Sequence, residues 1–229
     1  MHVHLPKPLH GWRAFVGEVG IIVVGVLIAL GAEQMVEALH WRSEVAGFRS
    51  AVRQEVALDL GTYRFRMNEN GCVKARLDQL DQWLDSWRAG RPMQLTGPIS
   101  APASLSLQTS VWGGRDANVM AHVPDDERLE LGKLYDRFAN NEVHRLDERE
   151  TWLRLGEFDG ATALDQHDLM RLRGLITRAR YRDSHMTDNA VRYFHIAKEM
   201  GIVPHVQDDP PTVDPAFCRS VLPIANRSR

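Results

Sequence analysis

Cysteine is scarce. The chain has 2 cysteines in 229 residues, Cys72 and Cys218, and no CxxC pair. The usual zinc and iron–sulfur ligand patterns are therefore missing. Proline is absent from Leu9 to Arg91, so no ring interrupts a helix in that stretch. There is no excess of positive charge. The net charge of −2 argues against a general nucleic-acid binder, which is usually basic. The chain has no GxxxxGK[ST], GxGxxG, GxSxG or HExxH, which removes the commonest nucleotide, hydrolase and metalloprotease signatures. No internal repeat is visible. Ser, His and Asp all occur, but nothing marks an activated nucleophile. His122, His144, His167, His185 and His195 are scattered without i, i+4 spacing, and His2-x-His4 alone is a poor ligand set. No catalytic residue, metal or cofactor is assigned, and a non-enzymatic protein is expected.

The longest apolar run is Val19 to Ala32, uncharged throughout. Fourteen helical residues span about 21 Å, short of a bilayer core of about 30 Å. The flanks lengthen it. Trp12 and Phe15 precede the run, and Met35, Val36, Ala38, Leu39 and Trp41 follow it. Trp12 to Trp41 covers about 43 Å of helix, near the full bilayer with its headgroups. Tryptophans favour those two interfaces. Glu18 would lie about 9 Å inside the first, and an acid so placed is a functional candidate. A cleaved signal competes with the anchor: Lys7 and Arg13 precede the run, and Ala29-Leu30-Gly31 offers a small-x-small cut. Glu18 and the continuing helical pattern favour the anchor over both the signal and a soluble core helix.

Gly17-Glu18, six apolar or small residues, Gly25, one residue, then Leu27-Ile28-Ala29-Leu30 resembles the first helix of a bacterial family of small membrane-anchored proteins of unknown function. Glu37 falls where that family carries a glutamate. The likeness covers about residues 12 to 45. After it the chain departs from the family's Asn/Trp-rich stretch, with Gly31-Ala32-Glu33-Gln34-Met35. The resemblance implies a retained single span and no activity.

Glu18, Ile22, Gly25, Ala29, Ala32, Val36 and Leu39 recur at spacings of 4 and 3, a heptad face. Gly25 and Ala29 form a small-xxx-small pair that lets two backbones approach. Self-association through Glu18, Ile22, Gly25, Ala29 and Ala32 is expected, alongside a protein partner that the sequence does not identify. Lys7 and Arg13 before the span, against Arg42, Arg49 and Arg53 after it, lean towards a cytoplasmic amino terminus. A periplasmic body would allow Cys72 to pair with Cys218; two separate buried thiols are the alternative.

Beyond the span the 3/4 spacing continues through Trp41, Val45, Phe48, Val52, Val56, Leu60 and Tyr63, which predicts helix. Asn70-Gly71 predicts a break. A second helix is expected over Val73, Leu77, Leu80, Trp83, Leu84 and Trp87, with Asp78, Asp81 and Asp85 on a solvated face. Residues 90–107 are rich in Pro, Gly and Ser and read as a long connection, and residues 109–123 as one short helix with Val111, Trp112, Val119 and Met120 in the core. Pro124 to about Gly160 is expected to be helical, with Pro124 in its first turn and Leu129, Leu131, Leu134, Tyr135, Phe138, Val143, Leu146, Trp152, Leu153 and Leu155 as its apolar stripe. A last helix runs from an Asp165 cap to a Gly201 stop. The five arginines of Arg171–Arg182 could meet a phosphate, lipid or acidic partner, but pairing within the molecule with Glu142, Asp147, Glu148 or Glu150 is expected.

The expected architecture is all-α: a tail at 1–11, an anchor at 12–41 bounded by Trp12 and Trp41, a helical bundle at 42–200 and a Pro-rich tail at 201–229. The expected role is that of an anchored, oligomeric scaffold or interaction protein in the bacterial inner membrane. A ligand-sensing helical domain and a secreted soluble protein are the alternatives.

Overall fold

The computed structural model describes residues 11–205 and 215–223, without the side chain of Ala14. The His2-x-His4 pair, Lys7 and residues 206–214 of the Pro-rich tail lie outside the described residues. Five helices and no strands occur among the described residues: α1 Gly11–Arg88, α2 Ser110–Gly113, α3 Ala117–Ala121, α4 Asp125–Gly156 and α5 Gln166–Glu199. The chain forms two compact units. One is Met1–Arg49 with Asp116–Val123; the other is Ser50–Arg115 with Pro124–Arg229. The long apolar amino-terminal helix continues into the helical bundle without interruption.

The bundle is built by α1 from Ser50 onward together with α4 and α5. Its central cluster takes Val73, Leu77, Leu80, Trp83 and Leu84 from α1, Trp152 and Leu155 from α4, and Leu172, Leu175, Ile176 and Ala179 from α5. Ile99 and Phe217, from segments outside the helices, complete it. Side chains of this size contribute on the order of 1.5–3 kcal/mol each when fully buried. Arg171 meets Glu157 and Tyr193 meets the Arg137 carbonyl, so α4 and α5 run antiparallel. Asp165 caps α5 by accepting from the Asp168 N–H, and Asp168 returns the bond. At the other end Gly201 has φ +66°, and the Ile202 N–H reaches back to the Ala197 carbonyl at 2.8 Å. A glycine supplies that left-handed turn without strain.

Several expectations are corrected. Asn70-Gly71 does not break α1. The Asn70 side chain accepts from Arg66 at 3.1 Å and donates to Thr187 at 2.6 Å, so its polar groups serve tertiary contacts instead of a local turn. Residues 109–123 form two short helices, because Asp116 caps α3 by accepting the Asn118 N–H at 2.6 Å. Of the four residues expected in that core, Met120 is buried and Val111, Trp112 and Val119 are half-buried. Helix α4 ends at Gly156, and Phe158 then turns into the core. Leu129, Val143, Leu146 and Leu153 face outward, while Asn141, Arg145, Glu148 and Thr151 face inward. The inward face of α4 is thus partly polar.

Residues 89–109 have no regular structure, yet Ile99 and Pro102 are buried. Pro102 has no N–H to satisfy, but the other residues of a buried irregular backbone must find partners for theirs. Side-chain carboxylates supply them. Asp159 accepts from Ile99 at 2.7 Å, Glu69 from Ala103 at 3.0 Å, and Asp59 from Gln108 at 2.8 Å. Glu55 accepts from Val111 at 2.8 Å, just beyond the connection. Residues 201–205 lie directly on α1. The His205 N–H donates to the Ala57 carbonyl at 2.8 Å, and a Cβ at Gly61 would sit 2.2 Å from the His205 carbonyl oxygen. Only glycine admits that approach.

Candidate functional site

Among the described side chains from Gly11 to His40, none is buried. One 18-residue window of this stretch is long and apolar enough to cross a membrane. Glu18, Ile22, Gly25, Ala29 and Ala32 are all exposed, and a Cβ at Gly25 would meet nothing within 4 Å. Trp12 is exposed, with its ring 6.2 Å from that of Phe15. Trp41 is half-buried, stacks on His122 at 4.1 Å and faces Glu37 through its indole N–H at 3.4 Å. So large an apolar surface on a water-soluble chain would be an association or membrane site.

Cys72 and Cys218 are joined by a disulfide between α1 and the last described segment, with Cα atoms 4.8 Å apart. Closing a loop of 146 residues restricts the unfolded chain by on the order of 4–5 kcal/mol in the chain-entropy account. Arg76, one helical turn along, fastens the same segment. Its guanidinium donates to the carbonyls of Phe217 at 2.8 Å, Arg219 at 3.1 Å and Pro98 at 3.0 Å, and lies over the Phe217 ring. Burial holds the Arg76 pKa below its usual value, opposed by the charge of Asp159. Val221 and Thr96 join the two irregular segments through a 2.8 Å backbone bond.

The centre of the bundle holds a charged layer. Arg66 pairs with Glu148 at 2.7 Å and Asp183 at 3.0 Å, tying α1, α4 and α5 together. Burial opposes charge on both Arg66 and Glu148. For Arg66 the two carboxylates prevail and raise its pKa, whereas for Glu148 burial prevails over Arg66 and also raises it. Farther along α1, Glu55 takes three donors: the Tyr135 hydroxyl at 2.7 Å, the Ser110 hydroxyl at 3.0 Å and the Val111 N–H. Asp59 has the Gln108 N–H on one oxygen, while its other oxygen is buried without a partner. Burial pushes the Asp59 pKa up to about 7, partly opposed by the Gln108 N–H and reinforced by Glu55.

The arginines of Arg171–Arg182 mostly pair internally. Arg178 and Arg182 meet Asp147, Arg180 bridges Asp78 and Asp81, and Arg171 meets Glu157. The acidic face of Asp78 and Asp81 is therefore partly paired as well as solvated. His144 and His185, 41 residues apart in sequence, bring their rings within 4.1 Å. Burial, then His185 and Arg182, lower the His144 pKa. Asp165, His167 and Asp168 place ligand-type atoms within 4.8 Å of one another, but the two aspartates are already bonded as the α5 cap.

The polar layer was not among the expectations. A signal was present: Glu55, Asp59, Arg66 and Glu69 interleave with Val52, Val56, Tyr63 and Val73 on the inward face of α1. Charged residues in an apolar register signal buried partners. No family model, curated protein or solved structure matches this chain.

Proposed function

We propose that this protein is a single-span, membrane-anchored, non-enzymatic scaffold or interaction protein whose helical body lies in the periplasm. The observation that carries the reading is the apolar stretch of α1, which leaves Val19, Ile21, Val24, Leu27 and Ile28 exposed among the described residues. In water this surface is unfavourable by about 25 cal/mol for each Å²; in a bilayer it is matched. Trp12 and Trp41 stand where interfacial anchors belong. The Cys72–Cys218 bond suits an oxidising compartment and not a reducing cytoplasm. The resemblance of residues 12–45 to small anchored proteins accords with a span that is kept.

The seam of Glu18, Ile22, Gly25, Ala29 and Ala32 is proposed to join copies of the chain. Small residues permit close helix contact where no hydrophobic effect drives it, and Glu18 gains a polar partner on such a face.

The test is the intact mass of protein taken from its native membrane, alkylated with and without prior reduction. A full-length mass with thiols blocked only after reduction is the expected result. A chain starting near Ala32 would replace the anchor with a cleaved signal. A full-length chain with both thiols free would move the body to the reducing side.

A further inference from the structure

A cavity of about 520 Å³ lies between α1 and the turn that follows α5. Its volume is within the range of small-molecule sites. Its α1 wall carries Arg53, Gln54 and Leu58, and its opposite wall carries Ile202, Val203 and His205. Both walls are set by backbone contacts. The Gly201 turn fixes Ile202, and the His205 N–H bonds the Ala57 carbonyl. The cleft is thus formed before any ligand arrives, which reduces the ordering that binding would require.

Three features specify an occupant. Arg53 is exposed and has no ion-pair or hydrogen-bond partner among the described residues, whereas Arg66 in the neighbouring buried layer pairs with both Glu148 and Asp183. Among the described residues no carboxylate lines the cavity to neutralise Arg53, and His205 lies on the wall opposite it. Val203 is 78% exposed beside Ile202 and Leu58, which leaves an apolar surface next to the cationic one.

We propose that this cavity binds a small amphipathic anion, with a carboxylate or phosphate on Arg53 and His205 and an aliphatic portion over Leu58, Ile202 and Val203. A planar guanidinium suits both anions through paired hydrogen bonds. The site extends the function proposed above and does not depend on which side of the membrane the body occupies.

Octanoate is the probe, titrated calorimetrically into the full chain in zwitterionic nanodiscs at neutral pH. Saturable one-to-one binding is expected. Arg53→Gln should weaken it at least about tenfold, the scale of losing a charge-assisted contact. Val203→Trp, which fills the apolar side, should abolish it while leaving the melting temperature unchanged. Octylamine should not compete. Absence of saturable binding up to about 10 mM, near the floor for a ligand of ~10 non-hydrogen atoms, would overturn the proposal. Equal binding by both variants would overturn it too. Repeating the titration in anionic nanodiscs separates the sources: competition by the bilayer assigns a lipid headgroup, and undiminished binding assigns a free amphiphile.

Discussion

Asp59 is 1% exposed and has one oxygen without a donor. Its folded pKa of about 7 lies above the ordinary carboxyl value of 3.8. A group raised in this way contributes stability in its protonated form. That contribution is complete below pH 3.8, fades as pH rises through 7, and is absent above. The difference is on the order of 4 kcal/mol across the window. Asp59→Asn keeps the shape and removes the titration. Its melting temperature should exceed that of the wild type at pH 8.5, by the equivalent of about 1–3 kcal/mol, and the gap should narrow steadily as pH falls through 7 towards 3.8. An unchanged gap across that range, measured by circular dichroism, would show that Asp59 does not titrate in the fold.

Helix α1 contains two glycines for which the structure assigns opposite roles. Gly61 faces the His205 carbonyl, and a Cβ there would stand 2.2 Å from it. Gly71 is exposed, and a Cβ there would meet nothing within 4 Å. Gly61→Ala must push residues 201–205 off the helix and should destabilise by about 1–3 kcal/mol. Gly71→Ala relieves backbone entropy in a helix interior and should stabilise by about 0.5–1 kcal/mol. Thermal melts of both variants check the signs. The same pair shows what the sequence conveys at this scale. The apolar register of α1, the Asp165 cap and the Gly201 stop were legible because each depends on residues close in sequence. Asn70-Gly71 misled because Arg66 and Thr187 occupy Asn70, and Thr187 lies on another helix. The outward Leu129, Val143, Leu146 and Leu153 misled for a related reason. On α4, Glu148 and Arg145 take inward positions to serve Arg66 and Ser104, so the apolar stripe could not be read as the buried face.

For the whole molecule, the helical class and the apolar amino-terminal helix followed from periodicity and run length, while cysteine count left the pairing of Cys72 with Cys218 open against two separate buried thiols. The central layer did not follow, because its members, Arg66, Glu148 and Asp183, are up to 117 residues apart and no local spacing joins them. Self-association belongs to this scale. With single cysteines placed along the span in membranes, positions 22, 25 and 29 should crosslink several-fold more than 23, 26 and 30, because a heptad seam presents one face to its partner. Equal yields at both sets would remove the seam. The disulfide also bears on how the protein is made. Cys72 leaves the ribosome 146 residues ahead of Cys218, an interval of about 7–30 s at ordinary elongation rates of about 5–20 residues per second. Through that interval Arg76 has no Phe217 or Arg219 carbonyl to hold, and Trp152 has no Phe217 ring beside it. The bundle is therefore completed only once residues 217–219 exist, and until Cys218 emerges Cys72 lacks its partner and is open to whichever oxidant or chaperone reaches it first.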